Sequence, residues 1–123
     1  MDEIVINDKL KEKVELSILF DFYGELLKSH NKHIFEDHIL NDLSLSEIGE
    51  ENGISRQGVY DIVKRCSKQL RECEDKLHLV KKFEMTKQQV SRIKEIAGTL
   101  KSSNDTKEID VLIQLSESIL NDL

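Results

Sequence analysis

The sequence predicts an all-α protein, a helix-turn-helix bundle with a long fourth helix and a C-terminal helical extension. Three observations lead there. Proline and tryptophan are absent, 34% of the 123 residues are charged and only 5% are aromatic, the balance of a soluble helical protein built on Leu, Ile and Val. The stretch from Leu45 to Ile62 reads as a short helix, a glycine turn and a second helix opening on a serine. From Val59 onward apolar residues recur at alternating spacings of four and three, a seam of the coiled-coil kind. The length allows one domain with a modest core and a helical arm, taken as residues 1–83 and 84–123.

Each element has its own signal. A first helix is expected from about Asp8 to Leu27, with Leu10, Val14, Ile18, Phe22 and Leu26 four apart and Leu19, Tyr23 and Leu27 widening the buried stripe. Asn31 is placed to cap a second helix carrying Ile34, Phe35, Ile39 and Leu40. Ser44 with Glu47 forms a capping box for the third helix, and Asn52-Gly53 stops it, since both tolerate the left-handed conformation. Ser55 caps the fourth. Its seam, Val59, Val63, Cys66, Leu70, Cys73, Leu77 and Val80, outruns a compact three-helix body. Thr86 with Gln89 reads as the start of a fifth helix with Val90, Ile93, Ile96, Ala97 and Leu100 inward. After a polar link at 101–104, Asp105 with Glu108 opens a last helix bearing Ile109, Leu112, Ile113, Ser116, Ile119 and Leu120.

The corner itself is well specified. A two-helix corner needs a small residue where the helices cross, a residue tolerant of positive φ in the turn, and apolar residues pointing into the angle. Gly49, Gly53 and the set Ile54, Val59 and Ile62 supply these in order. The second helix then offers Arg56, Gln57, Tyr60, Asp61 and Lys64 on the face turned from the core, the face that such a motif lays into the major groove.

The net charge of −6 argues against a nucleic-acid partner until it is divided along the chain. Residues 1–43 carry −5, 44–54 carry −3, 55–82 carry +4 and 83–123 carry −2. The one basic block is therefore the recognition helix and its continuation, and local sign governs a groove-docking helix. Ser55, Arg56 and Gln57 form the sharpest constellation. A guanidinium can bridge guanine O6 and N7, an amide can bridge adenine N6 and N7, and first-turn amides favour a phosphate oxygen. Lys64, Arg65 and Lys68 are candidate phosphate contacts; taken without the motif they read as a solvated face. Tyr60 either meets the DNA backbone or sits half in the core.

Other chemistries lack their signatures. Cys66 and Cys73 lie seven apart on one helix, about 10 Å along its axis, too far to bridge, and read as small buried hydrophobes. His30, His33, His38 and His78 come without paired thiols, so no metal or other cofactor is expected. A glycine-rich phosphate loop, a Ser/His/Asp pattern and a nucleophile elbow are all missing, so an enzyme is not expected. With no apolar leader and no long uncharged apolar run, a cytoplasmic protein off the membrane is expected.

Three segments in succession carry a family likeness: Leu19-Phe20-Asp21-Phe22-Tyr23-Gly24-Glu25-Leu26-Leu27; Leu43-Ser44-Leu45-Ser46-Glu47-Ile48 with Ile54-Ser55-Arg56-Gln57-Gly58-Val59-Tyr60-Asp61; and Lys76-Leu77-His78-Leu79. Over residues 14–83 the chain resembles the YlxM family of small bacterial DNA-binding proteins, and the motif also looks like region 4 of sigma factors. It departs from the family pattern at Gly49 and Gly58, where alanine is usual, and at Asn52, where an apolar residue is common. The resemblance implies a cytoplasmic bacterial regulator, binding double-stranded DNA, with a place in the signal recognition particle pathway.

The leading expectation is thus a DNA-binding regulatory protein with Ser55, Arg56, Gln57, Tyr60, Asp61, Lys64, Arg65 and Lys68 at the interface. The alternative is a protein-interaction module for RNA polymerase or a signal recognition particle component; RNA binding lacks the stacking aromatics of single-strand recognition. A homodimer is expected, using the helix from Val59 to Val80, with Leu70, Cys73, Leu77 and Val80 as its seam, together with the C-terminal helices. The competing arrangement folds the C-terminal helices back over that seam within one chain.

Overall fold

In the computed structural model, residues 3–100 and 105–122 are described, with side chains from Asn7 onward. The helices are α1 (Glu3–Tyr23), α2 (Ser29–Ile39), α3 (Leu45–Asn52), α4 (Arg56–Leu77), α5 (Leu79–Leu100) and α6 (Thr106–Asp122), with a 3₁₀ turn at Gly24–Leu26. No strand occurs among the described residues, and none of these helices is long and apolar enough to cross a membrane. The chain divides into two units, Met1–His78 and Leu79–Leu123.

The caps of the corner form as the residue types require. Ser44 Oγ accepts from the Glu47 N–H at 3.1 Å, and Ser55 Oγ accepts from the Gly58 N–H at 2.9 Å. Gly53 closes α3 in the left-handed region at φ 66, where a Cβ would be strained. Ile34, Ile48 and Val59 are fully buried together, and Leu43, Leu45, Ile54, Ile62 and Val63 pack around them. One apolar side chain from each of α2, α3 and α4 therefore sets the angle of the corner.

The first helix keeps Leu19 and Tyr23 of the expected stripe, with Leu27 just beyond its end, and otherwise buries a different set. Leu16, Leu19, Phe20, Tyr23 and Leu27 are inside, while Leu10 and Val14 are 60% and 52% exposed and Phe22 and Leu26 also face outward. A strict spacing of four drifts by about 40° per step around a helix of 3.6 residues per turn, so that series cannot hold one inner face over four steps. Alternating spacings of three and four can. Phe20 stacks on Phe35 of α2 at 5.5 Å between ring centroids, and the buried Tyr23 donates its hydroxyl to Glu74 Oε1 at 2.6 Å, fixing the end of α1 to α4.

Three further boundaries differ. The second helix starts at Ser29 after Lys28, without a side-chain cap, so Asn31 lies inside its first turn. The fourth helix ends at Leu77 because His78 turns left-handed at φ 54, its N–H donating to the Glu74 carbonyl at 2.8 Å. The fifth helix starts directly at Leu79, so the break falls at His78 and not near residue 83. Thr86 consequently sits inside a continuous helix, with no glycine between Leu79 and Ala97 to interrupt it. Asp105 does cap α6, accepting from the Lys107 N–H at 3.0 Å. The expected link at 101–104 lies outside the described residues.

In the second unit α5 and α6 pair as an antiparallel hairpin whose register is marked by Gln89 Nε2 donating to Ser118 Oγ at 3.0 Å. Thr86, Gln89, Ile93, Ile96 and Leu100 face Val111, Leu112, Leu115, Ser118 and Ile119, each half-buried. Val90 and Ala97, expected inward, are exposed, as are Ile109, Ile113 and Leu120. Neither helix has a fully buried residue.

Two outcomes test this packing. Truncation of the fully buried Ile48 to alanine should cost about 2–5 kcal/mol, read as a lower denaturant midpoint. A fall under 1 kcal/mol would show that the corner collapses around the void. The second concerns Asp42, whose carboxyl is paired with the Lys13 ammonium and held below the usual aspartate range by that hydrogen bond and charge. A depressed carboxylate adds stability at pH values above its unfolded pKa, and that stability is lost as pH falls through its folded pKa. Lys13→Ala should move the Asp42 titration upward in an NMR pH series; an unmoved curve contradicts the pairing.

Candidate nucleic-acid interface

The second helix of the corner presents one polar face. Val59, Cys66 and Leu70 of α4 are buried and Ile62 and Val63 half-buried, which leaves the expected interface residues outward. Ser55, Arg56, Gln57, Tyr60, Asp61, Lys64, Arg65 and Lys68 are all exposed. Gln57, Asp61, Lys64 and Lys68 follow at spacings of four, three and four, a stripe along the helix; Arg56 and Tyr60 lie beside it. Because Ser55 takes the Gly58 N–H, the amides of Arg56 and Gln57 are the orphan donors of the first turn. Such a helix end carries partial positive charge and suits an oxyanion.

Geometry also refines several roles. Gln57 Nε2 donates to Asp61 Oδ1 at 3.1 Å, so the amide has an acceptor on its own helix. Tyr60 is 47% exposed and sits at the mouth of a cleft of about 380 Å³ together with Lys9, Lys13, His38 and Lys64. It is neither core nor fully solvated. Lys9 and Lys13 come from α1 and were not legible as neighbours of the recognition helix, because nothing in the sequence says where α1 crosses α4.

Arg71, which belongs to the basic block by sequence, serves another purpose. Its guanidinium lies 3.7 Å from Glu15 and 4.0 Å from Glu12, tying α4 to α1. Among the described residues, Arg56, Lys64, Arg65 and Lys68 of the face make no ion pair. On the other side of the turn, Glu47, Glu50 and Glu51 of α3 are exposed, so the sign of the surface changes across the corner. This contrast disfavours any docking that brings α3 against phosphates.

The seam residues separate. Leu70 is fully buried and Cys73 half-buried, while Leu77 is 49% exposed. Val80 is half-buried and belongs to α5, beyond the His78 break. Leu70 is thus used inside its own bundle and is closed to a second copy. Burial pushes the Cys66 thiol pKa up, which leaves it protonated and unreactive at neutral pH.

Three of the four histidines are occupied in the frame. His38 Nδ1 donates to the Leu43 carbonyl at 2.9 Å, His33 Nε2 lies 3.4 Å from the buried Asp37 carboxylate, and His78 ends α4. Among the described residues no three His, Cys, Asp or Glu side chains converge as metal ligands would.

Comparison with known proteins agrees with this geometry. The family model described as "Putative helix-turn-helix protein, YlxM / p13 like" matches residues 10–110, from α1 into α6. The chain is 40% identical over 110 residues to UPF0122 protein YlxM of Bacillus subtilis (strain 168), covering 89% of this chain and 97% of that one. It is 37% identical over 114 residues to a UPF0122 protein of Clostridium kluyveri, covering 93% and 100%. A UPF0122 protein of Caldanaerobacter subterraneus is 49% identical over 80 residues, covering 65% and 68%. A capped two-helix corner with an outward polar second helix, together with similarity running through nearly the whole of two of these relatives, shows that the chain belongs to the YlxM / p13-like helix-turn-helix family.

Proposed function

We propose that this protein is a cytoplasmic DNA-binding regulator that lays the first half of α4 into the major groove of double-stranded DNA. The observation that carries the reading is the exposed stripe from Arg56 to Lys68, whose cations make no ion pair among the described residues, at the capped start of the second helix of the corner. Arg56 and Gln57 stand where base edges are read; Lys64, Arg65 and Lys68 stand where the backbone passes. Tyr60 with Lys9 and Lys64 borders the cleft beside that path. Docking resembles that of sigma factor region 4, and two copies bind as a homodimer. The resemblance to the YlxM family supports a role in the signal recognition particle pathway.

A second reading has one observation in its favour. Asp61 occupies the middle of the face, held by Gln57, with the acidic α3 alongside. That pattern suits a basic protein surface on RNA polymerase or a particle component. A selection of bound genomic fragments at physiological salt separates the two readings.

For a selected fragment, Arg56→Ala with Gln57→Ala should remove sequence preference, at about 1–3 kcal/mol per lost bidentate contact. Lys64→Ala with Lys68→Ala should instead weaken binding to all sequences and reduce the salt slope by about 2. Equal affinity of wild type and both variants removes the DNA reading. A physical tie to the particle is tested separately: the protein should co-purify with a particle protein or its RNA. Retention of neither, where the particle's own components associate, leaves a regulatory tie only.

A further inference from the structure

We infer that the outer face of the α5–α6 hairpin is a self-association surface, on which a second copy seats its own hairpin to make an antiparallel four-helix bundle. The inference rests on the homodimer reading above for the number of copies and is independent of DNA. It drops the α4 seam, where Leu70 is already buried, and confines the interface to the second unit.

The first support is incomplete burial. The unit Leu79–Leu123 has no fully buried residue in α5 or α6, and a hairpin of this size is below the range in which one core usually suffices without a staple or a partner. On α6, Leu112, Leu115 and Ile119 face α5. Ile109, Ile113 and Leu120 form another stripe roughly a third of a turn away, and Leu120 is 68% exposed. More than half of the circumference of α6 is apolar, and α5 covers one side of it. Val90 and Ala97, seven apart on α5, flank the same side of the antiparallel seam. The outer stripes therefore form one continuous face.

Charge then selects the occupant. Within α5 five cations stand against two carboxylates, and within α6 one lysine stands against four carboxylates. The arrangement beside the apolar face is regular. Lys87 and Lys94 each lie three residues before Val90 and Ala97; Asp110 and Glu117 each lie three residues before Ile113 and Leu120. None of these four charges makes an ion pair within the described chain. With both pairs seven apart, a single antiparallel register sets Lys87 against Glu117 of a second copy and Lys94 against its Asp110. A two-fold axis repeats the same contacts on the other side, as an isologous interface requires.

The area suffices as well. Helices of 22 and 17 residues are roughly 33 and 26 Å long, and two of them about 10 Å wide offer on the order of 600 Å² per copy. That total is about the lower bound of a standard specific interface.

Sedimentation equilibrium of the full chain without DNA tests the inference, with helicity checked by circular dichroism. Wild type should be a dimer at tens of micromolar, the order of concentration at which a micromolar dissociation constant is saturated. Ile113→Glu with Leu120→Glu should be a monomer. Lys87→Glu with Lys94→Glu should raise the dimer dissociation constant by roughly tenfold or more, since like charges then face each other. Adding Asp110→Lys and Glu117→Lys should restore the dimer. Rescue by double reversal cannot come from misfolding, so it decides the matter if the glutamate variant loses helicity. A monomeric wild type overturns both the dimer and its surface. A wild-type dimer that is indifferent to the charge reversals, or is not rescued, overturns the surface alone. Neither result bears on DNA binding, which is read in the fragment selection.

Discussion

The structure depends on a close approach at Gly49. An ideal Cβ there would lie 2.7 Å from the Ile54 carbonyl oxygen, inside any real contact, and the Ile54 N–H returns a hydrogen bond to the Gly49 carbonyl at 3.0 Å. Without that side chain the turn folds back onto α3, Ile54 enters the angle, and Ser55 arrives where it can cap α4. Ile48, one residue earlier, is then directed into the cluster with Ile34 and Val59. The orientation of every exposed residue from Arg56 to Lys68 follows from this geometry, because those residues occupy the reverse side of a helix whose inner side is fixed by Val59 and Cys66.

The same locality explains what was legible in the sequence. Ser44, Gly53 and Ser55 act through atoms within a few residues, so spacing alone placed them. The recognition face could be read because a helix with one buried stripe has one outer side. The inner face of α1 could not, since Leu10, Val14, Phe22 and Leu26 compete with Leu16, Leu19, Phe20 and Tyr23, and α2 and α4 decide between them. The pairing of Arg71 with Glu12 and Glu15, and the nearness of Lys9 and Lys13 to Tyr60, are equally products of tertiary placement. The end of α4 at His78 had no glycine to announce it. Histidine enters the left-handed region less readily than glycine but more readily than branched residues, which makes such a stop hard to see.

The two units solve the problem of burial differently. In the first unit, α1, α2, α3 and α4 enclose aromatic and branched side chains from several directions, so fully buried positions exist. In Leu79–Leu123, two helices meet along one line, which cannot enclose anything completely. A charge pattern confined to helix flanks is then the main source of specificity, because a bare apolar stripe accepts many neighbours while alternating signs accept few.

The hydrogen bond from Gln57 to Asp61 alters what reading a base would mean energetically. An amide that already has an acceptor gains only the difference between two hydrogen bonds when it turns to an adenine, so the correct base contributes modestly to affinity. A wrong base cannot satisfy the donor and the acceptor of the amide together, and leaves the intrahelical bond in place. In the DNA reading, discrimination at that position is an exchange reaction, and its margin would widen wherever a cation drawn to the phosphate backbone neutralises Asp61.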